Sequence, residues 1–288
     1  MYDLVTTISY KKNMISNYHT HCALCDGKMM PEDYVLSAIK KGFASIGFTS
    51  HAPVLFETSW TMKPENLPIY IRIVNNLKEE YKNDIQIYTG LETDFYPGCK
   101  DYRNYPKIDY TIGAIHFIYD EKNKKFMALD GSVDEFIETL DITFNGDIRS
   151  LVETYYNLLG EMVVTHTPNI LAHLDVIKKN NMNNRFFNES DLWYRKKVEE
   201  LLYIIKENKV IVEVNTGGIS RGYTTDVYPS SWILKLMKQL DIPLVLNSDA
   251  HHPDWIDTYY NNALDIIKNA GYTHERILYN GQWQDVPL

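Results

Sequence analysis

The sequence is poor in cysteine, and this excludes a fold that depends on disulfides. Its 288 residues include only Cys22, Cys25 and Cys99. Small secreted proteins that are stapled by disulfides carry a denser and usually even-numbered set. The three thiols indicate a reducing compartment, so we expect a cytoplasmic protein that is stabilised by a hydrophobic core.

Long apolar runs are also missing. No stretch approaches the ~20 apolar residues of a transmembrane helix, so the sequence predicts no membrane partner. Lys11 and Lys12 lie near the N-terminus, but no apolar segment follows them as it would in a signal peptide. No repeat or Pro/Gly/Ser-rich linker divides the chain. We therefore expect one domain over residues 1–288, with an extended N-terminal segment at 1–14.

Positive charge is in short supply. The 29 Lys and Arg residues face 38 Asp and Glu residues, which gives a formal net charge of -9, and no basic stripe is present. This balance argues against a partner such as nucleic acid that is bound by neutralising phosphates. A small anionic substrate remains compatible, because a metal ion or two arginines override the global field locally.

Strand-like and helix-like segments alternate along the whole chain. Strands are predicted at 15–19, 45–49, 85–91, 110–115, 170–173, 210–215 and 243–247, with a late one near 276–279. Helices are predicted at 31–41, 190–208, 229–240 and 257–269. The strands are mostly continuous apolar runs, as expected for strands that are covered on both faces. Seven or eight such units favour a parallel α/β barrel over an open doubly wound sheet. No G-x-G-x-x-G follows the first strand, so nothing supports a dinucleotide site.

Histidines and acids recur at the predicted carboxyl ends of the strands. These residues are His19, His21, His51, Glu92, His116, His173, Asp249 and His251. In a parallel barrel the loops at the carboxyl ends of the strands form one mouth, where active sites are found. The positions therefore predict that the eight side chains converge.

Imidazole and carboxylate donors in this number are typical of a metal site. Alternate residues of an extended segment share a face, so His19 and His21 can reach one ion, as can Asp249 and His251. Nitrogen and oxygen donors suit divalent Zn, Mn or Fe. So many ligands exceed the needs of one tetrahedral ion, and a bridging Glu92 would hold two ions close together. Paired ions activate a bridging water in phosphoester hydrolysis.

The same residues lie in motifs that resemble those of the polymerase and histidinol phosphatase (PHP) family, in its histidinol-phosphatase branch. The motifs are Tyr18-His19-Thr20-His21, Ser50-His51-Ala52-Pro53, Gly90-Leu91-Glu92, Gly113-Ala114-Ile115-His116, Leu171-Ala172-His173-Leu174-Asp175, Glu213-Val214-Asn215-Thr216 and Ser248-Asp249-Ala250-His251. The resemblance implies a distorted parallel (β/α)7 TIM-like barrel. It also implies hydrolysis of L-histidinol phosphate in histidine biosynthesis.

The resemblance further implies two or three divalent metal ions, Zn, Mn or Fe, in sites that share ligands. The ligand sets are His19, His21, Glu92 and Asp249 for the first ion, Glu92, His116 and His173 for the second, and His51, His251 and Asp26 for the third. Many relatives carry a histidine where this chain has Asp26, so the third site departs from the family pattern. Asp26 is the candidate replacement, and Cys25 is the second candidate. We otherwise interpret Cys22 and Cys25 as reduced structural thiols rather than as a zinc or redox pair.

Candidate catalytic and substrate-binding residues complete the predicted site. Glu92, Asp249 and His251 are the candidate catalytic residues. Arg149 and Arg221 lie near predicted loop ends, and arginine is the usual bidentate partner of phosphate. Asn215 shares a strand face with Glu213, and either residue could meet a substrate ammonium group or support the metal ligands.

Two other functions remain open from the sequence alone. One is a PHP phosphoesterase that acts on a different small phosphorylated substrate. The other is a metal-binding module without catalysis, although the residues proposed for the first two metal sites are all present. The sequence says nothing about protein partners.

Overall fold

The computed structural model describes residues 14–288, so the extended segment predicted at 1–14 lies outside the described residues except for Met14. The strands are β1 Ser16–Asn17, β2 Ser45–Phe48, β3 Gln86–Asp94, β4 Tyr110–Ala114, β5 Phe117–Asp120, β6 Lys125–Ala128, β7 Ile170–Leu171, β8 Ile211–Asn215, β9 Leu244–Asn247, β10 His274–Tyr279 and β11 Gln282–Pro287. The helices are α1 Pro31–Lys40, α2 Leu67–Glu80, α3 Val133–Phe144, α4 Ile148–Thr165, α5 Leu192–Asn208, α6 Gly217–Ser220, α7 Ser231–Gln239 and α8 Tyr260–Asn269.

Seven parallel strands form the central sheet in the order β1-β2-β3-β4-β7-β8-β9. A parallel bridge between Thr20 and Ala250 connects the segments that follow its first and last strands. The amide of Ala250 also donates to the carbonyl of His19 at 3.1 Å. The sheet therefore curls into a nearly closed, distorted (β/α)7 barrel, which confirms the predicted barrel over the open sheet.

The predicted strands of the barrel all appear, most of them shortened at one end. The late segment at 276–279 is a strand as well, but it belongs to β10, which pairs antiparallel with β11 outside the barrel. The predictions do not include the β5–β6 hairpin or helices α2, α3 and α4. The regular β/α alternation is thus interrupted between β4 and β7, where one hairpin and two helices replace a single crossover helix.

Apolar side chains fill both the barrel and the layer beneath its helices. One buried cluster joins residues at the start of several strands, such as Tyr110, Ile170 and Ile211, to Ile277 and Val286 of the β10–β11 hairpin. The hairpin thus packs at the amino-terminal end of the barrel strands. This leaves the carboxyl ends free to form the mouth of the barrel.

The helix ends follow their local sequence. Helix α1 begins at Pro31, where the missing backbone N–H costs little because the first turn has no intrahelical partner for it. The negative charges of Glu32 and Asp33 in the same turn interact favourably with the positive end of the helix dipole. Helix α3 begins with a capping box between Ser132 and Glu135. Within residues 14–288, no helix combines the length and the apolar character needed to cross a membrane.

Candidate functional site

The eight side chains that the strand ends predict do converge at the mouth of the barrel. His19 and His21 follow β1, His51 follows β2 and Glu92 lies near the end of β3. The remaining residues, which follow β4, β7 and β9, are His116, His173, Asp249 and His251. All of them are buried except His251, which is partly exposed. The barrel geometry is therefore what brings residues 232 positions apart in sequence into one cluster.

Glu92 lies at the centre of this cluster. Its Oε2 is 3.3 Å from His19 Nε2 and 3.4 Å from His21 Nε2. Its Oε1 is 3.0 Å from His173 Nε2 and 3.5 Å from His116 Nε2. Burial alone would raise the pKa of Glu92, but His19, His51 and His116 hold it well below its usual range. The carboxylate is thus charged. Its Oε1 faces the imidazoles of His116 and His173, whereas its Oε2 faces those of His19 and His21 and also lies 2.9 Å from His51 Nδ1.

Asp249 follows β9, which neighbours β1 where the barrel closes, and it approaches His19 and His21 from that side. Its Oδ1 is 3.3 Å from His21 Nε2 and 3.7 Å from His19 Nε2. Its Oδ2 accepts a 2.8 Å hydrogen bond from Nη2 of Arg221. The backbone of Asp249 has φ 51°, a left-handed conformation that few residues other than glycine adopt. Such local strain is common at functional sites, where the surrounding structure maintains it.

A tight loop after His21 carries Asp26 to the outer part of the cluster. Asp26 Oδ2 is 3.1 Å from His251 Nε2 and 3.8 Å from His51 Nε2. A Cβ atom at Gly27 would lie 2.4 Å from the carbonyl oxygen of His21, so only glycine allows the loop to fold back so closely. The structure therefore places Asp26 where the sequence predicts a substitute for a ligating histidine.

The arrangement fits bound metal ions. Three groups each bring one donor atom per residue within 4.8 Å of one another: His21, Asp26, His51 and His251; His19, His21 and Asp249; and His51, Glu92 and His116. Several buried atoms at the centre have no hydrogen-bond partner within residues 14–288, among them His19 Nε2, His21 Nε2 and Glu92 Oε2. Unpaired buried donors and acceptors are costly, and divalent cations would satisfy these atoms. Their nitrogen and oxygen character suits Zn, Mn or Fe.

Carboxylates behind the cluster orient two of its imidazoles. His19 Nδ1 lies 2.7 Å from Glu213 Oε1, and His116 Nδ1 lies 2.9 Å from Asp94 Oδ1. Burial would lower the pKa of His116, but Asp94 and other acids raise it to about 10. A carboxylate on one ring nitrogen directs the other nitrogen toward a metal and increases its basicity. The strand face of Glu213 predicts such a supporting role as one of two alternatives, whereas no sequence pattern points to Asp94.

A cavity of about 540 Å³ opens above the cluster. Lys28, Lys179 and Arg221 contribute cations to its wall, while Trp60 and Trp255 contribute indole rings. Arg221 thus lies where the sequence predicts a substrate-binding arginine. A cavity of this size accommodates a small organic ligand.

Two predicted substrate-binding residues do not line this cavity. Arg149 lies on α4, where Nε donates to Glu153 at 2.7 Å and the guanidinium packs on Trp193. Asn215 is fully buried, and its amide donates to Glu213 at 2.9 Å and accepts from Gly217 at 2.7 Å. The position of Arg149 argues against the phosphate contact expected for it, and Asn215 supports Glu213 instead of facing a ligand.

Lys28, Lys179 and Asp130 are cavity residues that sequence reasoning missed. Lys179 lies eight residues after the end of β7. A search for charged residues deeper in the loops that follow the strands would include it. Asp130 gives no such signal, because the β5–β6 hairpin separates it from β4.

The cysteines near the site are free thiols. Cys22 Sγ lies 3.2 Å from Ser50 Oγ, and Cys25 Sγ lies 3.7 Å from His21 Nδ1. Burial raises the pKa of both thiols. Neither cysteine belongs to a cluster of metal donors in the described part of the chain, so Asp26 rather than Cys25 joins the outer donor group.

The fold and the site define a parallel α/β barrel with a carboxylate-centred cluster of metal-binding side chains at its mouth. The chain belongs to the PHP family, because the model of the PHP domain matches residues 17–217. This match spans every cluster residue except Asp249 and His251.

Comparisons with individual proteins extend the similarity to the whole barrel. A histidinol-phosphatase of Bacillus subtilis (strain 168) is 29% identical over 268 residues, which cover 86% of this chain and 97% of the relative. The crystal structure of a protein from Listeria monocytogenes superposes on this chain with a TM-score of 0.77 at 23% sequence identity. The superposition covers 86% of this chain and 99% of that chain. The histidinol phosphate phosphatase of Lactococcus lactis, solved with zinc, L-histidinol and phosphate, has a TM-score of 0.68 at 21% identity, over 94% and 99% of the two chains.

Proposed function

We propose that this protein is a metal-dependent phosphomonoesterase that hydrolyses L-histidinol phosphate to L-histidinol and phosphate. The convergence of three groups of metal donors on one cavity carries this proposal. The relative from Bacillus subtilis is a histidinol-phosphatase, and the Lactococcus lactis structure binds both reaction products and zinc.

Two or three divalent ions would be held by side chains that already lie together. The proposed sets are His19, His21, Glu92 and Asp249; Glu92, His116 and His173; and Asp26, His51 and His251. Divalent ions in such sites act as Lewis acids toward phosphoryl oxygens and lower the pKa of bound water. Zn, Mn and Fe are the candidates for the donor set.

The cations of the cavity wall would bind the phosphoryl group. The Arg221 guanidinium is held by Asp249, and Lys179 lies on another part of the same wall. Positive groups in fixed positions stabilise the negative charge that builds up on phosphoryl oxygens during transfer, and they need no reorganisation as the charge develops. Arg221 therefore binds and orients the phosphoryl group in this proposal, and Glu92 keeps the donor groups together.

The test compares kcat/KM for L-histidinol phosphate and p-nitrophenyl phosphate, with Zn- or Mn-loaded protein and after chelation. We expect a strong preference for histidinol phosphate that chelation abolishes. Glu92→Ala should lose both bound metal and activity, whereas Glu79→Ala, at an exposed position on α2, should retain both. Comparable slow rates on both esters would argue for a different phosphorylated substrate. Metal binding without turnover of any phosphoester would instead indicate a module that has lost catalysis.

A further inference from the structure

One carboxylate in the cavity belongs to none of the metal-donor groups of residues 14–288. Asp130 follows β6 and precedes α3, and its side chain lines the same cavity as Glu92 and Arg221. The metal and phosphate chemistry described above therefore gives it no role.

The turn that carries Asp130 is anchored on several sides. The neighbouring Leu129 amide donates to the carbonyl of His116 at 2.9 Å. The Nζ of Lys179 donates to the carbonyl of Asp130, and the side-chain amide of Asn180 donates to the carbonyl of Gly131 at 3.3 Å. These contacts fix the backbone, so Asp130 holds its carboxylate at a defined place on the cavity wall.

The carboxylate itself is left without a hydrogen-bond partner among the described residues. Its nearest cation, Lys179 Nζ, is 3.8 Å from Oδ2, and that ammonium also packs over the ring of Tyr223 at 4.6 Å. The Asp130 side chain is 24% exposed, and its exposure is toward the cavity. An acceptor-only group that is fixed, charged and partly desolvated favours a ligand that brings a proton donor with positive charge.

The charge of Asp130 is maintained by its surroundings. Burial would raise the pKa of the carboxyl group, but His116, Lys179 and His173 lower it. His116 and His173 are also the imidazoles nearest Glu92 Oε1. Asp130 thus lines the same cavity as the two imidazoles that face Glu92 Oε1.

We propose that Asp130 binds a cationic nitrogen of the leaving alcohol and makes the site selective for phosphomonoesters whose alcohol carries such a charge. This inference rests on the proposed phosphatase function and adds a residue that sets its substrate class. L-Histidinol offers two groups of this chemistry, a primary ammonium and an imidazole that can be protonated. Both are hydrogen-bond donors to a carboxylate.

The test uses the metal-loaded Asp130→Asn variant, which keeps the shape of the side chain and removes its charge. Hydrogen bonds to charged groups are strong enough that kcat/KM for histidinol phosphate should fall about 10- to 100-fold, mainly through KM. Phenyl phosphate has no cation, so its kcat/KM should change less than about twofold. Asp134→Asn, at an exposed position on α3, is the matched control and should leave both values unchanged.

Two further substrates separate the ammonium from the imidazole. O-Phosphoethanolamine carries only the ammonium, and the phosphate ester of imidazole-ethanol carries only the ring. The ester that loses efficiency in Asp130→Asn identifies the group that Asp130 binds. Equal losses on phenyl phosphate and on every cationic ester would overturn the proposal, as would no loss on any of them.

Failure of this inference can be distinguished from failure of the proposed function. If the wild-type protein hydrolyses no phosphoester, calorimetric titration of the metal-loaded protein with L-histidinol provides a binding readout. Weaker binding to Asp130→Asn than to Asp134→Asn would support the carboxylate's role without turnover. Equal binding to the two variants, or no binding to either, would overturn it. Metal content measured in parallel must stay unchanged, because a loss of metal in Asp130→Asn would reassign the residue to the metal centre.

Discussion

At the scale of single residues, the cluster depends on carboxylates that do not face the cavity. Glu213 is fully buried and accepts from the amide of His173 at 2.9 Å while contacting His19. Its two oxygens also accept from the side-chain amides of Asn215 and Asn247. One carboxylate therefore orients residues from β1, β7, β8 and β9, and its four contacts match the acceptor capacity of two oxygens.

Glu213→Gln should weaken metal binding and activity while leaving the fold intact. The new amide presents a donor to partners that are themselves donors, so His19 loses the contact that sets its ring orientation. Removal of such a supporting carboxylate costs about 10- to 100-fold in metal affinity or activity. Metal titration and kcat/KM measure the effect, with Glu199→Gln on the exposed face of α5 as the control. Wild-type metal affinity in Glu213→Gln would contradict this account.

Residue by residue, the sequence predicts which side chains converge at the inner site, but of the three cations in the cavity wall it predicts only Arg221. The strand determines the position of a histidine or acid that directly follows it. The sequence therefore predicts that His116 and Asp249 lie at the mouth of the barrel. Arg149 lies on a helix, and its direction depends on the rotation of α4 about its axis, which the sequence does not determine. Asp130 is placed by a hairpin that packs through tertiary contacts, and no local pattern predicts such packing.

At the scale of elements, the insertion between β4 and β7 and the hairpin after α8 distinguish this barrel from a regular one. The β10–β11 hairpin is linked to the barrel through Glu275, whose Oε2 accepts from the amide of Leu246 at 3.1 Å. No cation lies within salt-bridge distance of this carboxylate in the described chain. Burial raises the pKa of Glu275 to about 7.

The raised pKa predicts a pH dependence of stability. The folded protein keeps the proton on Glu275 up to about pH 7, whereas an unfolded chain releases it near the ordinary glutamate pKa of 4.5. Stability from this residue is therefore complete below pH 4.5 and is lost as the pH rises through 7. Glu275→Gln cannot ionise, so it should be more stable than the wild type at pH 8 by about 1–2 kcal/mol. The difference should vanish near pH 4.5.

Urea denaturation at pH 4.5 and pH 8 measures this difference. Glu65→Gln, at an exposed position before α2, is a suitable control because it removes the same charge without altering a buried contact. A gain in Glu275→Gln that is equal at both pH values would show that the effect does not come from ionisation.

At the scale of the whole molecule, carboxylates from distant parts of the chain meet at the mouth of the barrel. The protein has a net charge of -9, and the cavity wall alone carries Asp26, Glu92, Asp130 and Asp249 against three cations. Buried donors and acceptors without a hydrogen-bond partner among the described residues, such as His19 Nε2 and Glu92 Oε2, oppose folding. Bound divalent ions would convert this cost into a net attraction that joins β1, β3, β4, β7 and β9.

Removing the metals should therefore lower the thermal stability of the entire barrel. A ligand that binds only the folded state at a free concentration about 1,000-fold above its Kd stabilises it by about 4 kcal/mol. For a domain of this size, that corresponds to a fall in Tm of roughly 10 °C on chelation. Scanning calorimetry before and after chelation measures the change, and added Zn or Mn should reverse it. Glu92→Ala should respond to chelator much less than the wild type, because it has lost the residue that the first two sites share. A wild-type Tm that stays constant while metal analysis shows that the ions have left would mean that the strand ends are held by protein contacts alone.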